Sequence, residues 1–381
     1  MMVEDKHSLL MRQAVNLALQ GKGVTKTNPC VGAVIVKDSI VVGKGWHEGY
    51  GKEHAEINAL NDAGAKAVDA ELYVTLEPCV TYRKTPPCIE AIIKAEIKRV
   101  WIGALDPNLE HTGRSLPILK AAGIEVKVGV NEVGCAELIE DFYKFARLGL
   151  PYVKLKVAQS LDGKIATVTG ESRWISSQES RFQGHLLRSQ SDAVAVGIGT
   201  VLSDNPHLGV RELAVSRQPL KVVFDSKARM PLVSNLVLEA EKESNLIVVV
   251  AKIAPQAKIE ELKSLGVNVV VAGNDQVDLI EALQKLAKDY QIMNLLLEGG
   301  SSLSGSFLKV KLVDEICFFV APILIGEEGK SSIGGLGIKA LKEAIRLNRL
   351  TSKKIGQDYV FCGKLSDYAT KILELKNNFL E

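Results

Sequence analysis

The first third of the chain holds four residues whose types and spacing could do hydrolytic chemistry. His54-Ala55-Glu56 stands upstream of Pro78-Cys79, and eight residues separate Cys79 from Cys88. Two thiolates and an imidazole suit zinc, and three protein ligands leave the fourth tetrahedral position to water. Zinc lowers the pKa of that water to roughly 7, which makes hydroxide available at neutral pH. A carboxylate beside it must then carry a proton from the attacking water to a departing amine. Glu56, two residues from His54, suits that role. His-x-Glu followed by Pro-Cys and a second Cys, with the Glu not a ligand, is the pattern of zinc-dependent base deamination. That pattern ordinarily closes with Cys-x-x-Cys, so the longer loop here is a departure.

Such a site needs elements to hold it. The stretch VGAVIVKDSIVVGKGW, residues 31–46, reads as a hairpin turning at Lys37-Asp38-Ser39. His54–Ala63 has helical spacing, Leu72–Leu76 is a short apolar strand running into Glu77-Pro78-Cys79, Cys88–Glu96 reads as a helix and Arg99–Ala104 as a buried strand. A helix over Cys135–Leu148 stops at Gly149, with Pro151 just beyond, and marks the domain boundary. Strand candidates resume at Ala193–Val196, Lys221–Phe224, Leu246–Val250, Val267–Val271, Asn294–Leu297 and Glu315–Val320. Helices fill the gaps at 177–190, 255–265, 277–289 and 302–309. The expected organisation is a metal-bearing α/β domain over 1–148, a second α/β domain over 149–365, and a charged helical tail over 366–381 with no visible task.

The second half has no Gly-x-Gly-x-x-Gly between a strand and a helix, and Gly197-Ile198-Gly199-Thr200 is only a fragment of it. A better junction is NLLLEGG running into SSLSGSFL, which puts Glu298, Gly299 and Gly300 before a helix N-terminus. Glycines admit a pyrophosphate and the helix offers free N–H groups. The strand KVVFDS ends beside Ser226, Lys227 and Arg229, a set that suits the 2′-phosphate of NADPH, although Asp225 would suit a free ribose hydroxyl.

The 381 residues carry 47 Lys+Arg against 45 Asp+Glu, a net charge of +2, with 5% aromatics. That balance excludes an electrostatic footprint for wrapping nucleic acid and argues against a nucleic-acid deaminase with an RNA-binding appendage. No apolar run is long enough to span a bilayer, and the first residues lack the pattern of a secretory signal. Six cysteines are too few for a disulfide scaffold and fit a reducing cytoplasm. A module with purely structural zinc would need a fourth protein ligand, for which only His47 and His111 are at hand.

TNPCVGAVIV, GWHEGYGKEHAEINAL, LEPCVTYRKTPPC and VAQSLDGKIATVTGESRWIS occur in order, and with them the chain resembles the bifunctional riboflavin-biosynthesis deaminase-reductase family, RibD. The long loop ending in TPPC is that family's form of the zinc loop. The resemblance implies a cytidine-deaminase-like α/β/α layered domain followed by a dihydrofolate-reductase-like α/β domain. It implies zinc and NADPH as cofactors. The reactions would be hydrolysis of the ring amine of 2,5-diamino-6-ribosylamino-4(3H)-pyrimidinone 5′-phosphate, then reduction of its ribosyl group to ribityl. Alternatives are a reductase with an impaired deaminase site, or a nucleic-acid base deaminase. The partners expected are this small pyrimidine phosphate and further copies of the chain, with no nucleic acid and no membrane.

By the same resemblance Asn28, His47, Asp106 and Lys84 lie on the substrate side of the deaminase. Ala158, Trp174, Thr200, Asp204, Ser226, Gly300, Ser301, Ser302, Leu303, Ser304, Gly305 and Ser306 contact NADPH, while Ser172, Arg188, Leu208, Arg211 and Glu298 contact the substrate of the reductase. Relatives carry Ser-His-x-Gly after the first zinc cysteine, where this chain has Val80-Thr81-Tyr82-Arg83, followed by the retained base Lys84. The metal ligands are intact and the loop expected to hold substrate is altered.

Overall fold

A computed structural model of the chain describes residues 5–82 and 86–379. The chain forms two compact units, one of residues 1–149 with 367–381 and one of residues 150–366.

The first unit runs α1 (Lys6–Ala18), β1 (Gly32–Lys37), β2 (Ile40–Trp46), α2 (Ala55–Ala63), β3 (Glu71–Leu76), α3 (Cys88–Lys94), β4 (Arg99–Ala104), α4 (Ser115–Ala121), β5 (Glu125–Val128), α5 (Glu132–Leu138) and α6 (Glu140–Leu148). Its five-stranded sheet has the order β2-β1-β3-β4-β5, with β1 antiparallel to both neighbours and β3, β4 and β5 parallel. The β1–β2 hairpin turns at Asp38 and Ser39, both with positive φ, as a tight two-residue turn requires. Alternation along the strands puts Ala33, Ile35, Leu72, Val74, Val100 and Ile102 on one face, against Ala55 and Ala59 of α2, Ile92 of α3 and Leu119 of α4. On the other face Gly32 and Gly103 let α1 and α5 approach. A Cβ on Gly32 would meet the Ala14 carbonyl at 2.0 Å, and one on Gly103 the Cys135 sulfur at 2.2 Å.

The contact that matters most for the site lies between β2 and α2. Ala55, Ala59 and Ala63 recur every fourth residue and are buried. They face Gly43 and Gly45, where an added Cβ would meet the Ala59 and Ala55 carbonyl oxygens at 2.4 Å. Asn58 fastens the pair by donating from Nδ2 to the Trp46 carbonyl at 2.8 Å.

The second unit runs β6 (Tyr152–Ser160), β7 (Lys164–Ala166), α7 (Gln178–Ser189), β8 (Ala193–Gly197), α8 (Ile198–Asp204), β9 (Leu220–Phe224), α9 (Asn235–Glu243), β10 (Leu246–Val250), α10 (Gln256–Ser264), β11 (Asn268–Val271), α11 (Leu279–Tyr290), β12 (Asn294–Leu297), α12 (Ser301–Lys309), β13 (Glu315–Ala321), β14 (Lys330–Ser331), β15 (Asn348–Ile355) and β16 (Asp358–Lys364). Nine strands form one sheet in the order β11-β10-β9-β8-β12-β6-β13-β16-β15. The pairs from β11 to β13 are parallel, and β16 and β15 close one edge antiparallel. Both faces of the parallel part are covered: α11 and α12 supply Leu283, Leu286 and Phe307 to one, and α8, α9 and α10 supply Val201, Leu236 and Leu262 to the other. Burial on both faces explains why these strands read as unbroken apolar runs.

The expected helix over 135–148 is two helices, because Ile139 leaves helical geometry at φ −117°. The polar hairpin β15–β16 was not anticipated: residues Asn348–Lys354 are all exposed, so no apolar alternation marks them. The C-terminal stretch has a task. Asp367 caps α13 (Tyr368–Glu374) by accepting from Thr370 N, Glu140 accepts from Ala369 N at 3.1 Å, and Tyr368 stacks on Tyr143. Lys376 pairs with Glu132 of α5, and the Phe379 ring lies where a Cβ on Gly113 would be.

Gly45→Val is expected to push α2 off β2. The overpacking should destabilise the first unit by about 1–3 kcal/mol, and zinc content after dialysis should fall with it. Urea unfolding and metal analysis check this, and full zinc content at wild-type stability would refute the role given to the contact.

Candidate functional site

In the first unit β2, β3 and β4 point the same way, so their carboxyl ends share one edge of the sheet. His47 follows β2, Cys79 follows β3 and Asp106 follows β4. The chain returns from that edge as helices, so helix N-termini gather there too. His54 is the N-cap of α2, Glu56 lies in its first turn, and Cys88 opens α3 behind Pro87. Exposed N–H groups at a helix start favour thiolates and carboxylates.

His54, Cys79 and Cys88 present ligand atoms within 4.8 Å of one another, and no other residue joins the group among the described residues. His54 Nδ1 lies 3.2 Å from Cys88 Sγ and 3.6 Å from Cys79 Sγ. The Cys88 N–H donates to Cys79 Sγ at 3.3 Å. Hydrogen bonds from the Cys88 thiol and the His54 imidazole pull Cys79 down to about 4, and the Cys79 bond raises His54 to about 9. A ready thiolate, a second thiol and an imidazole converging on one point fit zinc, with one position open. His47 does not close it. Its Nδ1 faces the Glu53 carbonyl at 3.0 Å and its Nε2 faces Asn28 Nδ2 at 3.1 Å. His111 Nε2 faces the Thr81 hydroxyl at 3.4 Å.

Glu56 is buried, and burial pushes its carboxyl up to about 7, with the His54 charge opposing. A carboxyl near neutrality can take a proton and return it. Asn28 and His47 join the same edge through the contacts above, and the His47 ring meets His54 edge-on at 5.3 Å. Lys84 and Arg83 lie outside the described residues. In the altered loop, Val80 packs on the core and the Tyr82 hydroxyl donates to the Glu90 carboxylate.

The sequence reading missed Glu77. Its carboxylate is buried and accepts from Asp106 N, Gly113 N, Ser115 N and the Ser115 hydroxyl at 2.8–3.2 Å. It thereby ties the loop after β4 to the strand end that carries Cys79. The available signal was an acid directly before Pro78-Cys79, at the end of an otherwise apolar run.

In the second unit, the carboxyl ends of β6, β8, β9 and β12 also share one edge. At or just past these ends lie Ala158 on β6, Gly197 closing β8 with Thr200 in the helix after it, Asp225 and Ser226 after β9, and Glu298 to Ser302 after β12. Gly300 caps α12, and a Cβ there would sit 3.4 Å from the Thr200 hydroxyl. Ser301 and Leu303 are partly exposed and Ser302 and Ser306 exposed, whereas Ser304 and Gly305 face inward: the Ser304 hydroxyl donates to the Gly299 carbonyl and Gly305 packs on the Gly334 backbone. Asp225 is turned inward as well, accepting from Met230 N at 2.8 Å, so Lys227 and Arg229 are the exposed charges of that turn. Ser226 Oγ accepts from Val277 N. Asp204 ends α8, its carbonyl accepting from Arg173. Trp174 is 69% exposed with the Arg181 guanidinium over its ring, so it is no core residue.

Arg188 and Glu298 form a two-pronged ion pair, Nε to Oε1 at 2.7 Å and Nη2 to Oε2 at 2.9 Å, and Arg188 Nη1 also donates to the Gly209 carbonyl. Burial alone would raise Glu298; the charge of Arg188, then that of Lys156, holds it down to about 2. Lys156, on β6, was missed, although a cation inside the apolar run YVKLKV was its mark. Arg211 is exposed and its N–H donates to His185 Nδ1. Ser172 is half-buried, and the Leu208 side chain is core.

A thiolate–imidazole metal site at a mixed sheet edge, and a parallel sheet whose carboxyl edge runs into a glycine-led helix start, are the features of a zinc deaminase joined to a nucleotide-dependent reductase. Residues 4–104 match the cytidine and deoxycytidylate deaminase zinc-binding region, and residues 151–361 match the RibD C-terminal domain. The riboflavin biosynthesis protein RibD of Aquifex aeolicus is 45% identical over 94% of this chain and 98% of its own length. The structure of Acinetobacter baumannii RibD, form 1, superposes with a TM-score of 0.85 at 38% identity, covering 95% of this chain and 99% of that one. The diaminohydroxyphosphoribosylaminopyrimidine deaminase/5-amino-6-(5-phosphoribosylamino)uracil reductase of Thermotoga maritima superposes at 0.81 with 32% identity over 94% and 98%. The chain belongs to the RibD family, and with it to riboflavin biosynthesis as a bifunctional deaminase and reductase that uses zinc and NADPH. No helix among the described residues is long and apolar enough to cross a membrane.

Removing the Glu77 carboxylate leaves buried N–H donors unpaired, at about 1–3 kcal/mol each. Glu77→Ala should therefore lower the melting temperature of the first unit and slow deamination, while NADPH oxidation with pre-deaminated substrate stays at wild-type rate. Equal loss of both activities would count against this.

Proposed function

We propose that the first unit removes the ring amine of 2,5-diamino-6-ribosylamino-4(3H)-pyrimidinone 5′-phosphate as ammonia, and that the second reduces the ribosyl group of the product to ribityl. The convergence of His54, Cys79 and Cys88 beside the buried carboxyl of Glu56 carries the first half of the reading. These three residues would hold the metal; when bound, zinc activates water as a Lewis acid. Glu56 takes the proton from the attacking water and delivers it to the leaving amine. Asn28 and His47 orient the pyrimidine, with the Glu53 carbonyl fixing the His47 ring. Lys84, outside the described residues, is assigned to the substrate by the family resemblance alone. Asp106, held by Glu77, positions the loop after β4.

In the second unit the start of α12, at Gly300, Ser301, Ser302 and Leu303, takes the pyrophosphate of NADPH together with Thr200. Ser304 and Gly305 support that turn from behind, and the exposed Ser306 hydroxyl donates to the Ser302 carbonyl. Ser226, Lys227 and Arg229 take the 2′-phosphate, and Ala158, Trp174 and Asp204 complete the cofactor's surroundings. NADPH supplies the hydride. Ser172, Arg211, the Leu208 backbone and the Arg188–Glu298 pair place the sugar phosphate. No side chain here is assigned as acid or base: these residues hold the opened sugar against the cofactor, and the proton that completes the reduction comes from solvent. The enzyme acts in the cytoplasm, as a homo-oligomer, on a small molecule and not on nucleic acid, in keeping with six cysteines outside any disulfide and a net charge of +2.

Incubating the purified protein with the diaminopyrimidine phosphate should release ammonia without NADPH, and NADPH should be oxidised only after deamination. NADPH oxidation of supplied deaminated product without ammonia release from the diamino compound would overturn the first half. Glu56→Gln should keep its zinc and lose deamination by about 100-fold or more; retained deamination sinks its role. Lys227→Ala with Arg229→Ala should raise the KM for NADPH about tenfold or more and leave that for NADH unchanged. Equal use of the two nucleotides by the wild type would refute the 2′-phosphate reading.

A further inference from the structure

Of the four cysteines outside both sites, two lie together. Cys317 on β13 and Cys362 on β16 are direct register partners across an antiparallel pair, and their sulfurs lie 2.8 Å apart. Directly opposed residues in such a pair have Cα atoms about 4.5–5.5 Å apart, inside the span of about 4.4–6.8 Å that a disulfide bridges. Both are free thiols. They differ in access: Cys317 is buried against Phe319 and Val360, while Cys362 is partly exposed. They differ in acidity too. Hydrogen bonding from Cys317, aided by the Lys154 charge, holds the Cys362 thiol below its ordinary range, and the same bond raises Cys317. An accessible, more acidic thiol beside a buried partner is the arrangement of an attacking and a resolving cysteine.

We propose that Cys317 and Cys362 form a reversible cross-strand disulfide by exchange with a low-molecular-weight disulfide such as oxidised glutathione. The Cys362 thiolate attacks one sulfur of the oxidant, forming a mixed disulfide and expelling one glutathione thiolate. The Cys317 thiolate then attacks the Cys362 sulfur, and the S–S bond to glutathione breaks, expelling the second. The protein loses two electrons and two protons, and the oxidant becomes two molecules of reduced glutathione.

The bond would close a loop between residues 45 apart. That loop holds Gly334, whose N–H donates to the Ser301 carbonyl at the start of α12, and Asp358, whose carboxylate accepts from Ser177 N at the start of α7. Oxidation therefore restrains the segment that supports two helices of the second unit. Neither thiol belongs to the zinc set, so the staple acts without touching the metal.

The test exposes zinc-loaded full-length protein to oxidised glutathione, then alkylates it in denaturant and maps its peptides. The expected result is a linked pair of peptides containing Cys317 and Cys362, lighter by two hydrogens than their sum and separated by dithiothreitol. The melting temperature of the second unit should rise by several degrees and return on reduction. Cys317→Ser should instead leave glutathione attached to Cys362, and Cys362→Ser should take up none at Cys317. Alkylation of both cysteines in the treated wild type, under conditions where the denatured chain is oxidised, would overturn the proposal. So would a linkage mapped to any other pair.

Discussion

Between α2 and β2 there is almost no side chain. Alanines at every fourth position lie on the backbone of a strand whose facing residues are Gly43 and Gly45, with carbonyl oxygens where any Cβ would go. This closeness decides where α2 begins. It sets His54 and Glu56 at the carboxyl edge of the sheet, where β3 delivers Cys79 and α3 delivers Cys88. A metal site built from three separate elements tolerates little error in their placement, and the alanine–glycine contact and the Glu77 carboxylate are the devices that supply it. One works by excluding atoms and the other by satisfying four donors at once.

Much of this was legible in the sequence. The metal ligands were readable because zinc accepts few residue types and because His54, Glu56, Pro78, Cys79 and Cys88 occur in one order. The parallel strands were readable because burial on both faces makes their runs almost wholly apolar, and β10 and β12 end where the pattern does. β15 was hidden because an exposed edge strand carries lysines and polar residues like any loop. Glu77 was hidden because its meaning lies in donors about thirty to forty residues away in the chain, which no local pattern announces.

The second unit shows a different limit. The family resemblance put Arg188 against the substrate, yet the Nε/Nη2 edge of its guanidinium is already gripped by Glu298. Such a pair presents a fixed fork of remaining N–H groups and no mobile cation. Likewise Asp225, read as a competitor for a ribose hydroxyl, is spent inside its own turn. In both cases residue type was readable and side-chain direction was not, because direction follows from where α7 and β9 come to lie in the fold.

The first unit is not continuous in sequence: α13 and Phe379 rejoin it after the whole of the second unit has intervened. During synthesis the residues that cover α5 and rest against Gly113 therefore leave the ribosome after the whole of the second unit. Until then Gly113, whose N–H is one of the donors to Glu77, lacks its covering ring. The loop at the metal edge thus gains this packing only after every residue of the second unit has been added to the chain.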